Sequence, residues 1–478
     1  MPNPLILLHG YSDTGHSFAK WHDVLEKSGY NAKDIHICSY VTLNNEVTVD
    51  DIADAFDRSL RERGLDKGEF DAIVHSTGML VIRAWLTAPH MDDARRKRLK
   101  HLVALAPATF GSPLAAEGRS FLGRVFKGNR KIGPDFLDSG SLVLSNLELG
   151  STYTWNLAHK DLIGAKPFYG PDNDTPYVFV FQGTEDYGKL AEIFDRQTQE
   201  GGDGCVRWSA SALNTRKIVL DLTRGGEQRF HWSEWTNIDI PMVPVGNVNH
   251  SQILQNPPEG LIGLVKEALA VDSKEDFDRF HRESVPKTGV VKAGEERLKK
   301  SQWQQFIVHA VDDRGNGISD FDLELFSRNS AGEEKTLKAV EEDIHAFEAD
   351  KSYRCFHVHL NRVTDALALS QDEIFVRVIA SADTSLVGYQ GFGTDATVLN
   401  PTTASVELRV TSHVRPSGGE HPSFFFPFTT TLVEIRLNRE PVRRADGSMD
   451  LFQFVSLESG QPEAAQKDKP EQTFRHSV

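Results

Sequence analysis

The chain has 478 residues, 25% of them charged, and a formal net charge of −15 at pH 7. This length exceeds what a single hydrophobic core normally organises, so two domains are expected. The acidic balance argues against a protein that binds nucleic acid or that docks electrostatically on an anionic membrane.

The cysteines and the first residues indicate a cellular location. The three cysteines, Cys38, Cys205 and Cys355, offer no disulfide framework and favour a reducing compartment. Residues 1–4 lack the basic segment of a secretory signal, and no stretch approaches the roughly 20 apolar residues that a membrane span needs. We therefore expect a cytoplasmic protein without a membrane-spanning segment.

Residues 1–272 alternate short apolar runs with amphipathic helical patterns. Strands are predicted at residues 5–8, 35–40, 72–75, 102–106, 177–181 and 242–245. Continuous apolar strands between helices are typical of a parallel sheet that is covered on both faces. The first half of the chain is therefore predicted to be an α/β domain.

Two insertions interrupt this pattern. Residues 110–172 separate two predicted strands and carry many apolar side chains, which favours a cap or lid over a structureless loop. Residues 218–236 are predicted to form an additional hairpin.

From residue 273 onward the composition changes. Residues 273–300 are rich in charge and are predicted to be a linker. Between residues 301 and 458, apolar residues recur with a period of two in runs separated by Gly, Asn, Asp and Pro, which is typical of a β-sandwich. Residues 459–478 are polar and charged and are predicted to be a disordered tail.

The sequence Val74-His75-Ser76-Thr77-Gly78 lies between an apolar strand and a helical stretch. A serine on a sharp strand-to-helix turn is exposed at the carboxyl edge of a parallel sheet as a nucleophile. His250 follows the last predicted strand of this half and can reach the same edge as a general base. The alternatives are that Ser76 caps the helix and that His250 is an ordinary structural histidine.

Two residues are candidates for the acid that orients the base. Asp203 lies in Gly202-Asp203-Gly204, and Asp186 lies in the turn after the strand at residues 177–181. Both fall between the serine and the histidine, where the order Ser, Asp, His places the acid. The backbone N–H groups of Tyr11 and Thr77 are the candidate donors to an oxyanion, because Gly10 permits a close approach of the backbone.

Five motifs taken together resemble the α/β-hydrolase lipases and esterases: Leu8-His9-Gly10-Tyr11, His75-Ser76-Thr77-Gly78, Gly111-Ser112-Pro113, Asp203-Gly204-Cys205-Val206 and Asn249-His250-Ser251. The nearest branches are the bacterial triacylglycerol lipases and the phosphatidylcholine–sterol-acyltransferase or GPI-inositol-deacylase-like proteins. The resemblance covers residues 1–270 and implies a triad of Ser76, His250 and Asp203, with Asp203 preferred to Asp186 because these families carry the acid in an Asp-Gly-x-Val motif. Val74 departs from the glycine that usually precedes the elbow, and residues 301–478 resemble no recognised family.

These observations predict a serine hydrolase that cleaves carboxylic esters of hydrophobic acyl groups, of lipase, phospholipase or esterase type, acting on a small-molecule or lipid substrate. One alternative is an acyltransferase or thioesterase with the same triad, and another is an inactive hydrolase fold that serves as a binding module. No cofactor or metal is predicted, because His357 and His359 share a strand face without a third ligand nearby. No triad candidate lies beyond residue 272, so the β-sandwich is predicted to be dispensable for the chemistry.

Overall fold

A computed structural model describes residues 2–115, 140–164, 168–171, 174–187, 200–225, 230–232, 240–337, 341–363, 373–391, 405–409, 424–443, 447–452 and 454. Part of the predicted cap, residues 116–139, 165–167 and 172, and the predicted tail, residues 459–478, lie outside the described residues.

The strands are, in chain order, β1 (Leu5–Leu8), β2 (Ile35–Cys38), β3 (Phe70–His75), β4 (Leu99–Leu105), β5 (Tyr177–Gly183), β6 (Thr215–Asp221), β7 (Phe230–Trp232), β8 (Met242–Val245), β9 (Trp303–Asp312), β10 (Asp320–Arg328), β11 (Glu334–Thr336), β12 (Glu341–Ala346), β13 (Tyr353–His359), β14 (Glu373–Ser381), β15 (Val387–Gln390), β16 (Ser405–Arg409) and β17 (Thr430–Pro441). The α-helices are α1 (Ala19–Lys27), α2 (Val49–Glu62), α3 (Gly78–Thr87), α4 (Asp93–Arg96), α5 (Ser141–Leu147), α6 (Thr152–Asp161), α7 (Trp208–Ser211), α8 (Gln252–Gln255), α9 (Glu259–Ala268), α10 (Lys274–Arg279) and α11 (Gly289–Lys300).

The first half of the chain is built on a parallel sheet in the order β2-β1-β3-β4-β5-β8. Successive residues of its strands enter different layers of the core: Ile6 and Leu8 pack on one face, whereas Leu5 and Leu7 pack on the other. Side chains alternate across a strand, so a sheet that is covered on both faces needs apolar residues at every position. This requirement explains the continuous apolar runs in the sequence.

The second half of the chain forms a β-sandwich, which we call the β-domain (strands β9–β17). One sheet is antiparallel, in the order β11-β10-β14-β16, and the other has the order β12-β13-β9-β17-β6-β7. Phe306 of β9 and Val376 of β14 belong to the same apolar core, which fills the space between the two sheets. The predicted fold class, an α/β parallel-sheet domain followed by a β-sandwich, is confirmed.

The predicted additional hairpin exists as β6 and β7, which pair antiparallel. It extends the sheet of the β-domain, because β6 pairs in parallel with β17 from Thr215↔Thr430 onward. Ile218 and Leu220 accordingly lie in the core of the sandwich. The domain boundaries drawn from the sequence remain predictions, and the sheet topology crosses them.

Residues 273–300, predicted to be a charged linker, instead form α10 and α11 with two further helical turns between them. Their apolar minority, including Phe277, Phe280 and Val291, is buried in the core on one face of the parallel sheet. Gly294 packs so closely on β8 that a Cβ at this position would lie 2.6 Å from the carbonyl oxygen of Pro244. The charges lie on the outer side of helices that are anchored by few apolar residues, which explains why the composition resembles that of a linker.

Across the described ranges, none of the helices combines the length and the apolar character required to cross a membrane.

Candidate active site

Ser76 lies at the turn between β3 and α3 and has a φ of 54°, in the left-handed region that side chains other than Gly rarely adopt. Its backbone N–H donates to the carbonyl oxygen of Leu105 (3.2 Å), and its carbonyl oxygen accepts from the N–H groups of Ala108 (3.2 Å) and Met79 (3.1 Å). Such strain costs on the order of 1–3 kcal/mol and persists only when the surroundings enforce it. These bonds hold Ser76 in the geometry of a nucleophile elbow.

Gly10 brings the end of β1 against this turn. A Cβ at Gly10 would lie 2.8 Å from the Cβ of Ser76 and 3.4 Å from its Oγ. The side chain of His9 accepts at Nε2 from the backbone N–H of Tyr40 (3.1 Å), so its Nδ1 is the protonated nitrogen that donates to the carbonyl oxygen of Gly10 (2.7 Å). In a trans peptide the N–H points away from the C=O. The N–H of Tyr11 is therefore directed away from the His9 ring.

The pKa of His9 is lowered, first by burial, which keeps the ring neutral as this bonding pattern requires. The ring also stacks on Tyr40, with centroids 4.1 Å apart.

Asp203 and His250 are brought together. Oδ2 of Asp203 accepts from Nδ1 of His250 at 2.8 Å, and both side chains are completely buried. The carboxylate accepts three further hydrogen bonds: Oδ2 from Nε2 of Gln182 (2.7 Å), and Oδ1 from the backbone N–H groups of Cys205 (3.0 Å) and Val206 (2.8 Å). A buried carboxylate needs such compensation, and four donors supply it.

Asp203 belongs to a tight turn, residues 201–208, which we call the acid hairpin. Gly202 and Arg207 form an antiparallel bridge, and the backbone N–H of Asp203 donates to the carbonyl oxygen of Val206 (3.1 Å). The backbone N–H of His250 donates to the carbonyl oxygen of Asp203 (3.1 Å), so the two residues are joined through backbone and side chain. Asp186, the alternative acid, is half-buried in the loop after β5.

Three residues that the sequence analysis did not single out support this arrangement. Gln182 donates to the carboxylate as described above. His75 donates from Nε2 to the carbonyl oxygen of His250 (3.0 Å), and its ring centroid lies 4.7 Å from that of His250. The hydroxyl of Tyr187 lies 2.7 Å from Oγ of Ser251. The position of His75 directly before the candidate nucleophile Ser76 is a signal that the sequence offered.

The pKa of His75 is held well below its ordinary value, first by burial and then by the neighbouring rings of His250 and His9. The ring is therefore neutral at physiological pH and acts as a hydrogen-bond donor to the His250 segment rather than as a second base.

A small pocket opens at Ser76. Its walls are formed by the turns after β1, β3 and β4, by α5 and by the acid hairpin, and the residues that line it are Tyr11, Ser76, Thr77, Ala108, Ser112, Ala115, Leu147, Cys205 and Val206. Both candidate oxyanion residues thus lie beside the candidate nucleophile. Ser112, Ala115 and Leu147 belong to the segment that was predicted to form the cap.

His357, one of the two histidines considered as metal ligands, stacks on Trp303 with ring centroids 4.3 Å apart and is completely buried. Over the described residues, no group of three or more His, Cys, Asp or Glu side chains could hold a metal ion.

The parallel sheet and the strained serine turn are those of the α/β-hydrolase fold of lipases and esterases, so the predicted resemblance is confirmed at the level of the fold. Two structures of the phospholipase PlaB from Legionella pneumophila, one of them in complex with thio-NAD, each match with a TM-score of 0.72 and 22% identity, over 96% of this chain and 97% of theirs. The mature lipase BlEst2 from Bacillus licheniformis matches with a TM-score of 0.35 and 16% identity, over 55% of this chain and 91% of that one. No protein-family model and no curated protein matches the sequence. The likeness to PlaB extends over both halves of the chain.

Proposed function

We propose that this protein is a serine hydrolase that cleaves carboxylic esters of hydrophobic acyl groups, with Ser76 as nucleophile, His250 as base and Asp203 as acid. The observation that carries the proposal is the wholly buried 2.8 Å contact between Nδ1 of His250 and Oδ2 of Asp203. The ring of this histidine lies 4.7 Å from the ring of His75, the residue directly before the strained Ser76.

The chemistry follows from these positions. Oγ of Ser76 attacks the acyl carbonyl while Nε2 of His250 accepts its proton, and the carboxylate of Asp203 stabilises the imidazolium. The negative charge that develops on the carbonyl oxygen is bound by the N–H groups of Tyr11 and Thr77. The alcohol leaves with the proton from His250. A water molecule then attacks the carbonyl of the acyl-enzyme while Nε2 of His250 accepts its proton, and His250 passes that proton to Oγ of Ser76 as the carboxylic acid is released.

The pocket favours an apolar acyl group. Ala108, Ala115, Leu147 and Val206 contribute apolar walls beside Ser76. PlaB, which matches over nearly the whole chain, is a phospholipase, and this likeness supports a phospholipid as a substrate class.

The test is covalent labelling with a fluorophosphonate probe together with hydrolysis of p-nitrophenyl esters of increasing chain length and of phospholipids. Ser76→Ala is expected to abolish labelling and to lower kcat by several orders of magnitude, because triad members act as a unit. Ser59→Ala, which changes an exposed serine on α2, is the control and should behave as wild type.

Labelling that persists in Ser76→Ala would place the nucleophile elsewhere. A wild-type protein that resists the probe would favour an inactive binding module, and acyl transfer to an alcohol or thiol in preference to water would favour a transferase or thioesterase.

A further inference from the structure

The acid hairpin lies directly against the β-domain. Gly201 packs on Trp303 of β9 so closely that a Cβ at this position would lie 2.7 Å from the indole ring. The guanidinium of Arg207 bonds to the carboxylate of Asp343 on β12 and lies 3.9 Å from Sγ of Cys355 on β13. Both strands of the hairpin thus contact the second domain.

The chain that leaves the hairpin is held by the same domain. Trp208 makes an edge contact with Phe428, with ring centroids 6.4 Å apart. The hydroxyl of Thr430, at the start of β17, donates to the carbonyl oxygen of Ser209 (2.9 Å). The opposite side of the hairpin faces the α/β domain through the bonds of Asp203 to Gln182 and His250.

Arg207 requires a counter-ion, because its side chain is 1% exposed. Burial raises the pKa of the Cys355 thiol to about 12, so this neighbour is uncharged. His357 also faces Arg207, and burial followed by the guanidinium charge holds its pKa well below the ordinary value, so it is uncharged as well. The negative charge that pairs with Arg207 therefore comes from Asp343.

A short path of backbone bonds joins Arg207 to the triad acid. Arg207 is bridged to Gly202, and the preceding residue, Val206, holds Asp203 at two points. Its N–H donates to Oδ1 of Asp203 (2.8 Å), and its carbonyl oxygen accepts from the N–H of Asp203 (3.1 Å). A shift of Arg207 would therefore move the peptide that fixes the carboxylate.

We propose that the β-domain positions the catalytic acid: Asp343, acting through Arg207, holds the acid hairpin so that Asp203 stays on His250. Asp343 is thus a positioning residue, supplied by the second domain to a site in the first. The inference rests on the proposed function, because it assigns a role within that triad.

The test compares Asp343→Asn with Glu434→Gln in the full-length chain. Both changes remove one carboxylate charge from the mixed sheet of the β-domain, but Glu434 pairs with Lys217 of β6 (2.6 Å) rather than with the hairpin. Asp343→Asn is expected to lower kcat by about 10- to 100-fold with little change in KM, because small displacements of catalytic groups have effects of this size. Glu434→Gln should retain the kcat of the wild type.

The pH profile separates positioning from a general loss of stability. A carboxylate held less closely stabilises the imidazolium less, so the acidic limb of kcat/KM should move to lower pH in Asp343→Asn. A structural role alone would lower Tm and leave this limb in place.

A second measurement does not depend on ester hydrolysis. The Nδ1–H proton of His250, bonded to Asp203, should give a strongly deshielded proton resonance that shifts or broadens in Asp343→Asn and persists in Glu434→Gln. If Asp343→Asn does not fold, Asp343→Glu keeps the charge, displaces it by one methylene and is expected to show the same changes to a smaller extent.

A folded Asp343→Asn or Asp343→Glu protein with wild-type kcat and an unchanged resonance would overturn the inference. A different outcome would overturn the proposed function instead: a resonance that responds to Asp343→Asn in a protein whose Ser76→Ala variant still hydrolyses esters.

Discussion

Replacing Asp203 by Asn tests the acid assignment directly. In every hydrogen bond described for its side chain, the carboxylate of Asp203 is the acceptor, whereas the amide group of Asn is partly a donor. The backbone N–H groups of Cys205 and Val206 bind Oδ1, and the side chains of Gln182 and His250 bind Oδ2. An Asn side chain offers one acceptor oxygen and one NH2 donor. It can therefore accept from one of these pairs and must turn an N–H toward the other.

The two orientations of Asn have different consequences for the site. If the NH2 group replaces Oδ2, His250 must accept at Nδ1, which leaves its proton on Nε2, where it cannot receive the proton of Ser76. If the NH2 group replaces Oδ1, two buried backbone N–H groups lose their acceptor. Two lost bonds to a charged group, at about 1.5–3 kcal/mol each, set an upper bound of about 3–6 kcal/mol on the destabilisation.

Activity should fall more steeply than stability. The analogous substitution in a serine protease lowers kcat by about 10⁴ through the wrong tautomer, and we expect a similar loss for Asp203→Asn. Asp186→Asn is the matched change in the half-buried loop after β5 and should cost tenfold or less. Initial rates with a short p-nitrophenyl ester, together with thermal unfolding, measure both effects. A loss near 10⁴ for Asp186→Asn, with near-normal rates for Asp203→Asn, would refute the assignment.

Two further predictions concern the oxyanion turn and the core. His9→Phe keeps an aromatic ring but removes the Nδ1–H bond to the carbonyl oxygen of Gly10, which orients the peptide of Tyr11. The value of kcat should fall by about tenfold to a hundredfold, which is less than the loss of about 10²–10³ in kcat when an oxyanion donor is removed. Unchanged kinetics would show that the ring does not orient this peptide. Asp161→Asn breaks a bidentate pair with Arg83 (2.8 and 3.0 Å) whose side chains are wholly buried, and should lower the free energy of unfolding by about 3–5 kcal/mol. The exposed ion pair between Asp93 and Arg96 is the control: Asp93→Asn should lower the free energy of unfolding by less than about 1 kcal/mol. Equal losses of unfolding free energy in the two variants, measured by thermal unfolding, would contradict the prediction.

The α/β half was predictable because the burial of each strand shows in the composition of that strand alone. Strands buried on both faces are mainly apolar, and such runs are visible at residues 5–8 and 72–74. The elbow was readable for the same reason, since Ser76 and Gly78 adjoin such a strand. The glycine has a steric cause, because a Cβ at Gly78 would lie 2.9 Å from the carbonyl oxygen of Leu8.

The choice between the two acids depended on contacts that the sequence did not display. Asp186 and Asp203 both follow β5, and their order along the chain is equally compatible with a triad. Gln182 and two N–H groups of the acid hairpin bond to Asp203 because residues 201–208 fold back on themselves, and these contacts are the reason for proposing Asp203 as the acid. The helices of residues 273–300 were also missed because they depend on contacts distant in sequence. Phe277 and Phe280 anchor them in the core, but two phenylalanines are a small part of a segment rich in charged residues.

The pairing of β6 with β17 joins residues more than two hundred positions apart, so no local sequence pattern predicts it. Its consequence for the site is topological. The chain runs from the acid hairpin through α7 into β6 and β7, which lie in the sheet of the β-domain, and returns through β8 to His250. Asp203 and His250, the proposed acid and base, therefore lie at the two ends of one excursion into the second domain. Without β17, Ile218 and Leu220 would lose the core that buries them. The segment between Asp203 and His250 would then no longer hold these two residues in fixed positions. The topology thus argues against a dispensable β-domain, although no residue of the proposed triad lies in it.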